Sequence, residues 1–102
     1  MTRNLGDEIS RFCAHTPSFG EVLDAIRRQR RLTQDALAKA LARSPADISR
    51  LINNKLPKSL TFTEVHWMAS NLNCSRTELV ELVNALICHI HYTLGTIDPD
   101  EF

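Results

Sequence analysis

The residues of this chain best suited to chemistry are its basic ones, and they are not spread evenly. Residues 27–58 hold nine bases (Arg27, Arg28, Arg30, Arg31, Lys39, Arg43, Arg50, Lys55 and Lys58) against two acids, Asp35 and Asp47, a local charge of +7. The rest of the chain carries −7, so the net charge of zero conceals two segregated parts. A local cluster of arginine and lysine is the electrostatic footprint of phosphate binding, whatever the net charge. Arg50 is the clearest candidate for base reading. Its neighbours Ile48 and Leu51 read as inward residues of a helix, which turns Arg50 outward. An outward guanidinium can donate two hydrogen bonds to O6 and N7 of guanine, worth ~1–3 kcal/mol of discrimination. The alternatives are a solvated arginine or a phosphate contact. Gln34 sits at the positive end of the preceding helix, where its amide and the backbone amides can grip one phosphate. Asp47 either completes a capping box with Ser44, the preferred reading, or accepts from cytosine N4. The run Arg27, Arg28, Arg30 and Arg31 is either a sequence-independent phosphate patch or, in part, a solvated face.

The elements that position these residues are all helical. Leu5, Ile9, Phe12 and Cys13 have helical spacing before Pro17. Ser18 and Glu21 form a capping box, and Phe19, Val22, Leu23 and Ile26 make one apolar face of a helix ending near Arg30. Thr33 caps a helix over about 34–41, with Leu37, Ala38 and Leu41 inward. After a break at Ala42 and Arg43, Ser44, Pro45 and Asp47 start a second short helix over about 45–53. Asn53 and Asn54 suit its end, and Pro57 forbids continuation. Thr61 and Glu64 open another helix, with Phe62, Val65, Met68, Ala69 and Leu72 inward. Ser75 and Glu78 open the last and longest, whose main stripe is Leu79, Leu82, Val83, Leu86, Ile90 and Leu94, widened by Val80 and Ile87. Gly95 is a natural stop, and residues 96–102 read as an acidic tail.

Other chemistries find little support. There is no Gly-rich phosphate loop, no H-E-x-x-H and no paired acids at useful spacing, so no enzyme activity and no cofactor is expected. Cys88 and His91 lie i, i+3 on a helix and would make half a zinc site, but a zinc ion wants four ligands and no second pair is near, so no metal is expected. Cys13, Cys74 and Cys88 are odd in number and show no C-x-x-C spacing, which predicts free, buried thiols. Trp67 and Tyr92 are expected to pack rather than stack on bases. Residues 1–10 hold no apolar run and nothing later is long enough to cross a bilayer, so a cytoplasmic protein with no signal peptide and no membrane contact is expected.

Two short helices joined by a three-residue turn, with small Ala38 at their crossing and Ile48 as anchor of the second, form a helix-turn-helix. The run Leu32-Thr33-Gln34-Asp35-Ala36-Leu37-Ala38, followed by Ser44, by Ile48-Ser49-Arg50 and by Asn53, resembles the phage repressor and Cro (xenobiotic-response-element) type of this motif. The resemblance spans roughly residues 19–82. It implies an all-α, five-helix repressor-like domain, to which this chain adds an N-terminal helix and a long C-terminal helix. The division implied is an extension over residues 1–17, the domain over 18–95 and a tail over 96–102. By the family pattern Thr33, Gln34, Ser44 and Asn53 touch phosphates of double-stranded DNA, while Ala46, Ser49 and Arg50 face base edges. Arg43 and Lys55, in the same basic segment, are assigned to phosphates with them. The chain departs from the pattern at several points. Ala42 stands where glycine is usual, so a left-handed backbone there would cost about 1 kcal/mol. Ile52 stands where an acid commonly pairs with an arginine of the first family helix, which leaves Arg27 to find another partner. Asn54 replaces a common glycine, and the loop after it is about three residues longer than usual.

The resemblance and the stripe of the last helix together lead to a sequence-specific transcriptional regulator, most simply a repressor. It would be a dimer joined through Leu86, Ile87, Ile90 and Leu94 and would read a pseudo-palindrome. The N-terminal helix folding back over that surface would instead make a monomer. Two rival functions remain: an antitoxin-like protein that binds a partner protein and regulates its own operon, and a helical protein-binding module that has lost DNA binding.

Overall fold

The computed structural model describes residues 5–94, which form six helices and no strand. In chain order they are α1 (Leu5–Ala14), α2 (Phe19–Gln29), α3 (Gln34–Ala40), α4 (Pro45–Ile52), α5 (Phe62–Asn71) and α6 (Arg76–Leu94). The expected stop at Gly95 and the tail over 96–102 fall outside the described residues.

Each start is dictated locally. Ser18, Thr33, Ser44 and Thr61 are extended N-caps whose hydroxyl oxygens accept the N–H three residues on, at 3.3, 3.0, 3.1 and 3.1 Å. Such caps satisfy amides that the helix itself cannot. At Ser75 the box is reciprocal: Glu78 N–H donates to Ser75 Oγ at 3.2 Å, and Ser75 N–H donates to Glu78 Oε1 at 2.9 Å. Glu64 turns instead to Arg43, and Asp47 to Arg50, so their carboxylates serve other partners.

The ends of α2, α3, α4 and α5 share one construction. Arg31, Ala42, Asn54 and Asn73 take φ of 54°, 52°, 61° and 52°. In each case the next N–H reaches back five residues in the Schellman manner: Leu32 to Arg27 O, Arg43 to Ala38 O, Lys55 to Arg50 O and Cys74 to Ala69 O. No glycine is used at any of the four. Ala42 therefore occupies the left-handed conformation for which its Cβ is penalised.

The core sits between α2, α4 and α6, closed below by α3 and α5. Phe19, Val22, Leu23 and Ile26 of α2 meet Ile48 and Leu51 of α4 and Leu82, Ala85 and Leu86 of α6, all buried. Leu37, Ala38 and Leu41 pack beneath α4, and Val65, Met68, Ala69 and Leu72 beneath α6. At Gly20 the backbones of α2 and α4 touch. A Cβ there would fall on the Ile52 carbonyl and lie 2.8 Å from Leu51 O.

Several expectations are corrected. Phe62, expected inward, is exposed because it opens α5 beyond the core, and Trp67 and Tyr92 leave about half their surface to solvent. Cys13 and Cys88 are not free thiols: they form a disulfide that ties α1 to α6 across 75 residues of sequence. Their Cα atoms are 5.4 Å apart, within the usual span of such a bond. Cys88 is thus not available to share a metal with His91, whose Nε2 lies 2.9 Å from Ser10 Oγ. Cys74 keeps a free thiol, whose pKa burial pushes up. Leu86, expected at a dimer interface, is 2% exposed and belongs to the core of its own chain. Ile90 packs half-buried against that core, Ile87 stays open at 38%, and the Leu94 side chain lies outside the described ones.

Candidate nucleic-acid interface

The basic segment folds into α3, α4 and their flanks. The turn between the two helices is set by the left-handed Ala42, after which Ser44 and Pro45 start α4 at once. Ile48 and Leu51 anchor α4 in the core. Residues half a turn away must then face out, since side chains one and two apart on a helix do not share a face. Ala46, Arg50 and Asn53 are exposed and Ser49 half-exposed, so the expected base-reading residues lie together on one outward strip.

The side chains of this strip are held rather than loose. Arg50, 62% exposed, places Nη1 2.8 Å from Asp47 Oδ1. Asn53 Nδ2 donates to Ser49 O at 2.8 Å and to Ser49 Oγ at 3.4 Å. An open groove of about 410 Å³ beside α4 gathers Arg43, Asp47, Arg50 and Lys55 along its wall. Thr33 and Ser44 spend their oxygens on caps, which leaves each hydroxyl proton free to be donated to a phosphate. Gln34, Arg31, Lys39, Lys55 and Lys58 are exposed and have no side-chain partner among the described residues.

Other bases of the segment are committed to the fold. Arg27 is held by Asp24 at 2.8 Å and donates to Leu32 O at 2.8 Å, which is the partner it takes when Ile52 offers none. Asp24 also reaches the exposed Arg28 at 2.9 Å. Arg30 forks onto Glu78, both Nη atoms at 2.8 Å from a carboxylate oxygen, while Nε and Nη2 donate to Leu72 O and Asn73 O. The Arg30 hydrogen bond, aided by the Ser75 N–H, lowers the Glu78 carboxyl from 4.5 to about 2. Arg43 is also half-buried, 3.3 Å from Glu64 of α5, so it braces the turn against α5. The arginine run is therefore a clamp with two outward members, Arg28 and Arg31, rather than a continuous phosphate patch.

Sequence reasoning missed the tertiary roles of Gly20, Glu64 and the Arg30–Glu78 pair. Gly20 permits the α2–α4 contact, and its N–H points at Asn54 Oδ1, 3.4 Å away, tying the end of α4 to the start of α2. Glu64 was legible only as a cap. The Arg30–Glu78 pair spans 48 positions and has no local signal.

A family model for the Cro/C1-type helix-turn-helix DNA-binding domain matches residues 22–85, more than half of the chain. That span contains α3, α4, α5 and most of α2 and leaves α1 and the end of α6 outside. No curated protein and no solved structure matches the chain. On the family match, with the outward strip of α4 and the unpartnered polar side chains around it, the chain belongs to the Cro/C1-type helix-turn-helix family of DNA-binding proteins.

Proposed function

We propose that this protein is a sequence-specific transcriptional regulator, most simply a repressor, acting in the cytoplasm as a dimer on a pseudo-palindromic operator. The observation that carries the reading is the outward strip of α4, with Arg50 held by Asp47 at its centre. Ala46, Ser49 and Arg50 read base edges in the major groove, where each base pair has a distinct pattern of donors and acceptors. Thr33, Gln34, Ser44, Asn53 and Lys55 hold phosphates around them, and backbone contacts fix register without reading sequence. Arg43 contributes charge from behind its pair with Glu64. A binding protein with no cofactor and no catalytic role is the simplest account of this surface. Among the described residues no helix is long and apolar enough to cross a membrane.

The dimer rests on α6. Val80 and Ile87, two turns apart, leave 48% and 38% of their surface exposed beside half-buried Val83 and Ile90, an apolar strip of the kind that marks interfaces. Leu86 has no part in it. Selection of preferred sites from random DNA tests the whole reading: a pseudo-palindrome with half-sites about one helical turn, ~34–36 Å, apart is expected. Enrichment of no sequence would overturn it. Ile87→Asp separates the dimer from the domain, since it should leave half-site binding and abolish the extra affinity for full sites.

A further inference from the structure

We infer that the Cys13–Cys88 bond is a reducible latch, a site of thiol–disulfide exchange at which small thiols open the tether between α1 and α6. The inference rests on the DNA-binding reading in one respect. A protein that works on DNA shares its compartment with the cellular thiol pool, where disulfides are transient or redox-sensing rather than permanent.

Three observations place the latch outside the working core. Both cysteines lie beyond the matched residues 22–85, Cys88 by three positions. Neither belongs to the apolar cluster that joins α2 to α6, so that cluster does not depend on the bond. Ser10 of α1 makes an exposed contact with His91 of α6, and Phe12 of α1 faces solvent. With the bond open, α1 loses its covalent hold on α6, whereas α2 to α6 keep the packing of the apolar cluster.

Both cysteines are nearly buried, Cys13 being 4% and Cys88 5% exposed. Both, however, line an open cavity of about 410 Å³, with Thr16, Ser18, His89 and Tyr92 around them. A small thiol enters there and attacks one sulfur as its thiolate. The S–S bond breaks, and the other cysteine leaves as a thiolate and takes a proton from water. A second small thiolate attacks the small-molecule sulfur of the mixed disulfide and displaces the cysteine, which takes a proton from water, so that two cysteine thiols and one small-molecule disulfide result. Two electrons pass from two thiols to the protein bond, and oxidised small thiol reverses the sequence.

The released helix is joined through Thr16 and Pro17 to Ser18, the cap of α2, close to the Gly20 contact with α4. The thiol pool thereby decides whether α1 is part of the folded molecule or a tethered arm.

The test uses the full chain in glutathione buffers of graded reduced-to-oxidised ratio, in a Cys74→Ser background. Reactive thiols are counted by maleimide mass shift, helix content is followed by circular dichroism, and release of α1 is read as trypsin cleavage after Arg11. Under reduced glutathione two thiols should label while α2 to α6 stay helical. Cleavage after Arg11 should quicken about tenfold or more, and Tm should fall by about 10 °C or more. Cys13→Ser should behave as the reduced form at every ratio. The latch is overturned if the bond yields only when the whole chain unfolds, if it never forms in oxidised glutathione, or if α1 stays equally protected in both forms. Binding of both forms to a selected operator is measured in parallel. Absence of DNA binding in both counts against the proposed function alone, because labelling and cleavage decide the latch.

Discussion

At the scale of the residue, the basic segment divides into side chains that face outward and side chains that hold the fold. Arg50 and Gln34 are outward, and the division between base-edge and phosphate contacts predicts different failures for them. Arg50→Ala should relax preference at one base pair per half-site by ~1–3 kcal/mol, whereas Gln34→Ala should weaken all sites alike. Competition binding against single-base operator variants reads both, and a uniform loss on Arg50→Ala would make Arg50 a phosphate ligand. Lys55 and Arg27 make a second contrast. Lys55 is exposed and unpartnered, so Lys55→Ala should reduce the slope of log affinity against log salt by ~0.9. Arg27 is bound to Asp24 and Leu32 O, so Arg27→Ala should lower Tm and leave that slope unchanged. Outward position was legible from Ile48 and Leu51 alone. Commitment of Arg30 and Arg43 was not, because their partners are tertiary neighbours; Arg27 has Asp24 three residues back on its own helix, but its bond to Leu32 O depends on a turn whose shape the sequence does not announce.

At the scale of the element, helix starts were far more legible than helix ends. Ser18, Thr33, Ser44, Thr61 and Ser75 cap the N–H three residues on, a local bond that needs no tertiary partner. The ends lack the usual glycine signal, because Arg31, Ala42, Asn54 and Asn73 take the left-handed role. Asn tolerates that region and was readable at Asn54; alanine has no side-chain group to compensate. Ala42→Gly should therefore stabilise the protein by about 1 kcal/mol, the relief of the Cβ clash less the added freedom of the unfolded chain. Urea denaturation measures this, and a loss of stability would mean that the turn does not need the left-handed form. The turn joins α3 to α4, so DNA affinity should not fall with the change.

At the scale of the whole molecule, the Arg30–Glu78 fork ties the end of α2 to the start of α6 across the α5–α6 junction. Glu78 titrates at about 2 in the folded chain and near its ordinary value once unfolded. A carboxylate depressed on folding contributes stability that is fully present above about pH 4.5 and fades as pH falls towards 2. Acid titration of the native chain should therefore lose stability through that window. Glu78→Gln should be less stable at neutral pH, and its deficit should shrink as pH falls from 4.5 to 2. A deficit that stays constant with pH would show that Glu78 acts through its cap geometry and not its charge.

The sequence by itself determined the helices, their order, the helix-turn-helix and the outward strip of α4. Each of these follows from caps, apolar periodicity and spacing within a few turns of chain. Only the tertiary structure decided that Cys13 meets Cys88, that Leu86 belongs to the core while Ile87 stays open, and that Arg30 grips Glu78. Those outcomes depend on which faces of α2, α4 and α6 meet and on where α1 comes to rest. Such contacts join residues up to 75 positions apart, and no local pattern of side chains encodes them.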